Sequence, residues 1–432
     1  MRVRDSIHND RLPDSYFTVT CNDLEVFSRL EGNVRAEVCV IGGGFTGVAT
    51  ALAIAKRGLK VVLVEQNYIG WGASGRSAGL VRGTFGPSAR SFEQYSNMFG
   101  DDAPMVWGLG QEGLEAVVSN IGTHGIQCHA KHGVLELYQS HSAVEELQQS
   151  LESMAQHGIH SHAELLSEEM LSQAGSVQRT IAGYLHSDWL SCHPMNLVRG
   201  EARAAESYGV KIFEDARIQT IEQGEKTIVD TGHGRVTTDH VVIAGNGYLG
   251  DLVPELSKAV KPVGRYVIVT EPITRSSLPS ALSEGAAISI LGDSQEFLTQ
   301  TEDGRLVFSS GDSAFGNHPS SISAMLLPKL TAYLSQLEHV KIDYEWGGYY
   351  GAGAHNFPQL GQISGNIFYA QAFGGAGIAA AHASAILLSE KIAGEGERFD
   401  RIANITHNKV SGWQSMRETL SAIGTAVNIF KR

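Results

Sequence analysis

The chain has 432 residues, and its 33 Lys and Arg against 46 Asp and Glu give a formal charge of −13. With 42% hydrophobic and 18% charged residues it can bury a sizeable core, which excludes wholesale disorder. The acidic balance argues against a nucleic-acid binder, which needs a basic face to neutralise phosphates.

Residues 1–35 read as an irregular arm, and the polar opening MRVRDSIHNDRLPDS lacks the apolar core of a secretory signal. Val38–Ile41 is a short β-branched run, read as a buried strand. Gly42–Gly47 forms a turn, Val48–Lys56 an Ala-rich helix ended by Gly58, and Lys60–Val64 a second strand closed by Glu65. A Gly/Ser-rich loop follows over Ile69–Gly86. Residues 90–175 carry amphipathic helical patterns such as HSAVEELQQSLESMAQHG. HPMNLVRGEARAAESYGVKIFE reads as helix then strand, and RIQTIEQGEKTIVDTGHGRVTTDHVVIAG as short antiparallel strands ending in a buried one. From 262 to 350 strands dominate (VGRYVIVTE, AISIL, RLVFSS, YEWGGYY), interrupted by a helix near 322–337. The chain closes with the strand IFYAQ and the helix GGAGIAAAHASAILLSEKIAGE.

Two uncharged stretches, Val38–Ala55 and Asn366–Ser389, are long enough to span a bilayer. Their internal glycines, with Gln371 and His382, identify them instead as buried strand-to-helix units. The four cysteines, Cys21, Cys39, Cys128 and Cys192, form no C-x-x-C pair, so neither a zinc knuckle nor a disulfide framework is expected, and a reducing cytoplasm is the expected setting. The histidines are scattered. His160 and His162 are the tightest pair, in a polar stretch, and no metal site is expected.

Gly42, Gly44 and Gly47 give G-x-G-x-x-G between a strand and a helix. Gly42 allows the tight turn, Gly44 lets a pyrophosphate approach the backbone, and Gly47 lets helix and strand pack closely. The helix N-terminus offers N–H groups to a diphosphate. Glu65, 18 residues beyond Gly47, is placed to accept hydrogen bonds from ribose hydroxyls. This fingerprint fits NAD or FAD. The loop GASGRSAG (72–79), suited to close contact with a flat ring, and a second glycine-opened helix at FGGAGIAAA (373–381) favour FAD.

The chain resembles the D-amino-acid oxidase superfamily of FAD-dependent amine and amino-acid oxidoreductases, and within it the bacterial gamma-glutamylputrescine oxidase branch. The resemblance is carried by VRAEVCVIGGGFTGVATALAIAKRG, VVLVE, IGWGASGRSAG, HPMNLVRGEARAAESYGV, DHVVIAGNGYLG, WGGYYGAGAHNFPQLG and YAQAFGGAGIA. It implies an α/β fold: a glutathione-reductase-like FAD-binding Rossmann domain over 36–90, 190–260 and 345–400. An inserted α+β substrate domain with an antiparallel sheet would take 91–189 and 261–344, and 401–432 would be a C-terminal extension. It implies non-covalent FAD, since no cysteine follows Cys192. The cofactor contacts expected are Gly42, Gly44, Phe45, Thr46, Gly47, Glu65, Gln66, Ala73, Ser74, Gly75, Arg76, Ser77, Gly245, Gly375, Ala376, Gly377 and Ile378.

The implied reaction is oxidation of a C–N bond of a small amine, gamma-glutamylputrescine-like, to an imine, with oxygen or another acceptor taking the electrons. Rival readings are an amino- or imino-acid dehydrogenase of pipecolate or proline type, and a redox-inert flavin-binding subunit. Substrate contacts are expected from Arg82, Tyr266, Trp346, Tyr349 and His355, an arginine suiting a carboxylate and aromatic walls an amine stem. No nucleophile or general base stands out. The chain departs from the branch where GRNGG is replaced by Gly75–Gly79, where a threonine is replaced by Gly353, and where GYSGHG is replaced by Ala372–Gly377. The lost polar groups at Gly353, Gly374 and Ala376 are expected near the flavin face.

Overall fold

A computed structural model describes residues 12–403 apart from 87–91, 160–162, 174–176, 178–179, 293–294 and 315–318. The His160/His162 pair and nearly all of the expected C-terminal extension lie outside the described residues.

Two sheets organise the chain. The first has eight strands, five of them parallel in the order Ile367–Gln371, Gly234–Ile243, Gly32–Ile41, Val61–Val64 and Lys211–Phe213. The run Val38–Ile41 lies at its centre, paired with Val61–Val64 on one side and His240–Ile243 on the other, and every residue of it is buried. Such double burial explains a continuous apolar run without polar alternation. Helices Phe45–Lys56, Pro194–Ser207 and Gly377–Ile392 pack together beside it. Phe45–Lys56 buries ten of its twelve residues, so the two uncharged stretches are strand-to-helix units of this core. Among the described residues no helix is long and apolar enough to cross a membrane.

The second sheet has nine strands. It is antiparallel except where Ala287–Leu291 pairs parallel to Lys131–Tyr138. That strand interrupts the stretch read as helical between 90 and 175, where Ala103–His124 and His141–Gln156 are the long helices. The strand Ile342–Ala352, which carries YEWGGYY, pairs with Lys261–Thr270 in this second sheet. The unit expected to resume at 345 therefore does not include 345–352.

The arm is less irregular than its composition suggests. Tyr16–Val19 is a helical turn capped by Ser15, whose Oγ accepts from Thr18 N at 3.1 Å, and the first strand begins at Gly32.

Candidate active site

The central strand ends at Ile41, where the chain must turn at the carboxyl edge of a parallel sheet, the usual ligand crevice of open α/β folds. Gly42 has φ +112°, and a Cβ there would stand 2.7 Å from the Ala244 carbonyl oxygen. A Cβ on Gly47 would run into the Gly42 carbonyl. Gly44 is the N-cap of Phe45–Lys56 and offers no side-chain cap; a Cβ there would meet Ser74 Oγ at 2.9 Å. Ser74 Oγ accepts from Phe45 N at 2.9 Å, tying the loop 72–79 to the helix start. Glu65 accepts from Gly43 N at 2.6 Å and Asn67 N at 2.8 Å. Burial pushes its carboxyl up to about 7 against the pull of those amides.

Around this turn lie two adjoining cavities of about 600 and about 250 Å³. They share Phe45, Thr46, Ala73, Ser74 and Asn246. Gly42, Gly44, Glu65, Gln66 and Gly245 line the larger. Arg76, Ser77, Gly375, Gly377 and Ile378 line the smaller, together with Arg82 and Tyr349 from the expected substrate contacts. Gly47, Gly75 and Ala376 line neither. Gly47 serves helix–strand packing, a Cβ on Gly75 would run into the Gly70 carbonyl and Met195, and Ala376 is the N-cap of Gly377–Ile392.

The loop 72–79 is not extended: Ala73–Arg76 forms a helical turn. Arg76 sits 4.8 Å over the Trp71 ring and donates to the carbonyls of Trp71 (3.0 Å) and Gly347 (3.3 Å). Trp346 Nε1 donates to Arg76 O at 2.9 Å, with its ring edge-on to Phe17 at 5.5 Å. Trp346 therefore braces the loop and lines neither cavity. Tyr266 is fully buried, with its ring against Gly347 and Gly311. His355 lines neither cavity, and its Nδ1 accepts from Phe357 N at 3.3 Å. These three expected substrate contacts are placed instead in packing or loop roles.

Wall residues not singled out from the sequence include Asn246, Tyr248, Arg265 and Gln295. Asn246 (φ +45°) lines both cavities, and its Oδ1 accepts from Ala372 N at 3.0 Å. The N-G pair at 246–247 is the signal that marks such a turn. Tyr248 lines the larger cavity, and its hydroxyl accepts from Tyr349 N at 2.8 Å. Arg265 and Gln295 line the smaller cavity from the second sheet, and no local pattern marks them. Of the three positions that lose a polar group, only Gly374 lines either cavity. Gly353 sits where a Cβ would meet Gln359 Nε2 at 2.7 Å, so a threonine does not fit without displacing Gln359.

The larger cavity fits a dinucleotide by its backbone. The Gly44 position is a cradle that a side chain would fill, the N-cap glycine brings no capping side chain of its own, and the carboxylate of Glu65 is fixed by two amides. The family model of FAD-dependent oxidoreductases, DAO, matches residues 37–391. Gamma-glutamylputrescine oxidoreductase of Escherichia coli is 31% identical, over 95% of this chain and 96% of that protein. Probable oxidoreductase OrdL of Haemophilus influenzae is 27% identical over 95% of each chain. Glycine oxidase from Geobacillus kaustophilus superposes with a TM-score of 0.69 at 18% identity, covering 84% of this chain and 95% of that one. L-proline dehydrogenase from P. horikoshii superposes with 0.68 at 21% identity, covering 88% and 100%; these two likenesses speak to the fold. The chain belongs to the DAO family of FAD-dependent oxidoreductases.

Proposed function

We propose that this FAD-dependent oxidoreductase oxidises the C–N bond of a small amine of the gamma-glutamylputrescine type, or a related amino acid, to an imine, with oxygen as acceptor. The observation that carries the reading is the continuity of the two cavities, from the dinucleotide turn to the wall of the second sheet. Gly42, Gly44, Thr46, Glu65, Gln66 and Gly245 hold the adenosine and diphosphate half. Ala73, Ser74, Arg76, Ser77, Gly375, Gly377 and Ile378 surround the ring half. FAD, when bound, supplies a two-electron acceptor for the hydrogen on the carbon beside nitrogen.

The protein's share is to bind, orient and exclude water. Val267, Phe297 and Ile378 give the smaller cavity an apolar lining. Arg82, about 8% exposed there, suits a carboxylate. Burial pushes the Tyr349 hydroxyl up to about 12, so at neutral pH it is a hydrogen-bond donor and not a base. No Asp, Glu or His stands among the described lining residues of this cavity.

An anaerobic panel of gamma-glutamyl amines, polyamines and cyclic imino acids tests this. At least one gamma-glutamyl amine should bleach the flavin, and admitting oxygen should yield peroxide equivalent to the flavin reduced. Bleaching without peroxide assigns a different electron acceptor. A bound flavin that nothing in the panel reduces overturns the reading.

A further inference from the structure

Behind the wall of the smaller cavity lies a buried polar cluster that the proposed reaction does not use. His382, on the second turn of Gly377–Ile392, is 2% exposed, and Glu201, on Pro194–Ser207, is fully buried. His382 Nε2 lies 2.7 Å from Glu201 Oε1, and its Nδ1 lies 2.7 Å from the Ile378 carbonyl oxygen. The Ile378 carbonyl oxygen can only accept, and Glu201 Oε1 accepts from the ring whenever its carboxyl is ionised; the doubly protonated ring then satisfies both. Asn120 Nδ2 donates to the same Glu201 oxygen at 2.9 Å, and Lys56 Nζ donates to Asn120 Oδ1 at 3.1 Å. Four helices therefore meet at this pair: Phe45–Lys56, Ala103–His124, Pro194–Ser207 and Gly377–Ile392.

The pair has a direction. Its ring is bonded to the carbonyl of Ile378, a residue of the cavity wall, while its carboxylate sits on another helix and is not among the residues that line the cavity. The N-terminus of Gly377–Ile392 points its partial positive charge the same way. We propose that His382 is a positioning residue: held between Ile378 and Glu201, it fixes the first turn of the Gly377 helix against the cavity and raises the cavity's affinity for negative charge. The inference rests on FAD occupying the cavities as proposed above.

Several charged or titratable groups face the pair. Glu201 comes from Pro194–Ser207, Lys56 acts through Asn120, and His124 stands near Lys56 and Glu201. The thiols of Cys128 and Cys192 feel the charge of Glu201. Burial alone works against the charged imidazole, but Glu201 and the Ile378 carbonyl hold its proton above the ordinary histidine range.

The test is a redox titration of the FAD-loaded protein and of His382→Gln, with the pH varied. Reduction of flavin adds negative charge to the cavity, so the reduction equilibrium of His382→Gln should be at least tenfold less favourable, about 30 mV for a two-electron couple. The wild-type potential should show a break above pH 6.5 that the variant lacks. Equal potentials and a shared pH profile in two proteins that both hold stoichiometric FAD overturn the inference while leaving the proposed function intact. Should the variant lose FAD, imidazole nitrogen NMR of the wild-type holoprotein decides. Two N–H signals from His382 at pH 7 support the charged, bridging ring, and one overturns it.

Discussion

At Gly44 a single hydrogen atom is what leaves room for a ligand. The residue caps a helix at a sheet edge, and the atom nearest a Cβ would be Ser74 Oγ at 2.9 Å, itself bonded to Phe45 N. Gly44→Val should fill the diphosphate's approach and push Ser74 away, lowering FAD affinity by at least 100-fold. Flavin per protein after gel filtration, followed by FAD titration, reads this; a variant that keeps stoichiometric FAD shows that the diphosphate lies elsewhere. Glu65 gives a pH-dependent prediction. Its carboxyl stands at about 7 in the folded chain against an ordinary 4.5, so between those values the fold holds a proton that the unfolded chain has released. Its contribution to apoprotein stability therefore falls as pH rises through that window. Ribose hydroxyls donate to the ionised form, so nucleotide binding expels the proton and FAD affinity should rise over the same window. The rise should be on the order of 100-fold if the carboxyl returns to its ordinary range. Glu65→Gln should flatten that rise in FAD titrations at pH 5, 6 and 7.

Two helices illustrate what an element needs beyond propensity. Ala103–His124 crosses Gly377–Ile392 so closely that a Cβ on Gly113 would run into the Ala379 carbonyl, whereas Gly108 and Gly122 on the same helix have open space. Gly113→Val should therefore cost about 2–3 kcal/mol in urea denaturation and lower FAD occupancy by shifting the turn that lines the cavity. Gly108→Ala and Gly122→Ala should be neutral or stabilising by about 0.5–1 kcal/mol. The same contrast explains what could be read from the sequence. The strand–turn–helix at 38–56 was legible because burial on both faces and three glycines impose a local pattern. The strand Lys131–Tyr138 was not, because its pairing with Ala287–Leu291 and Ala182–Ser191 is long-range. Trp346 and Tyr349 are both buried aromatic residues on one strand. Three positions apart, they point to opposite faces, and only the fold shows that Tyr349 meets the cavity while Trp346 braces Arg76.

Across the whole molecule, the N-terminal segment straps the two sheets together. Tyr16 donates to Asp303 Oδ1 at 2.8 Å and lies edge-on to Tyr344 at 5.6 Å, both in the region of the second sheet. Phe17 meets His193 at 4.9 Å and Trp346 at 5.5 Å, bridging the start of Pro194–Ser207 and the strand that braces the loop at Arg76. Further on, the segment anchors to the first sheet. Glu214, fully buried, accepts from Phe27 N at 2.8 Å and Ile69 N at 2.6 Å, and Arg199 donates to the Asp23 and Glu25 carbonyls at 2.5 Å each. Tyr16→Phe removes one hydrogen bond and should cost about 1 kcal/mol. Phe17→Ala empties a buried aromatic site and should cost about 3–5 kcal/mol. Removing residues 1–31 takes the Phe27 amide from Glu214 and two carbonyl acceptors from Arg199, and each buried polar group left unmet beside the remaining Glu214–Arg199 pair costs about 1–3 kcal/mol. The shortened chain should therefore accumulate little soluble, FAD-loaded protein. If it instead binds FAD stoichiometrically and melts within a few degrees of the full chain, the two sheets hold their relative position without the strap, and the loop at Arg76 needs no support from Phe17.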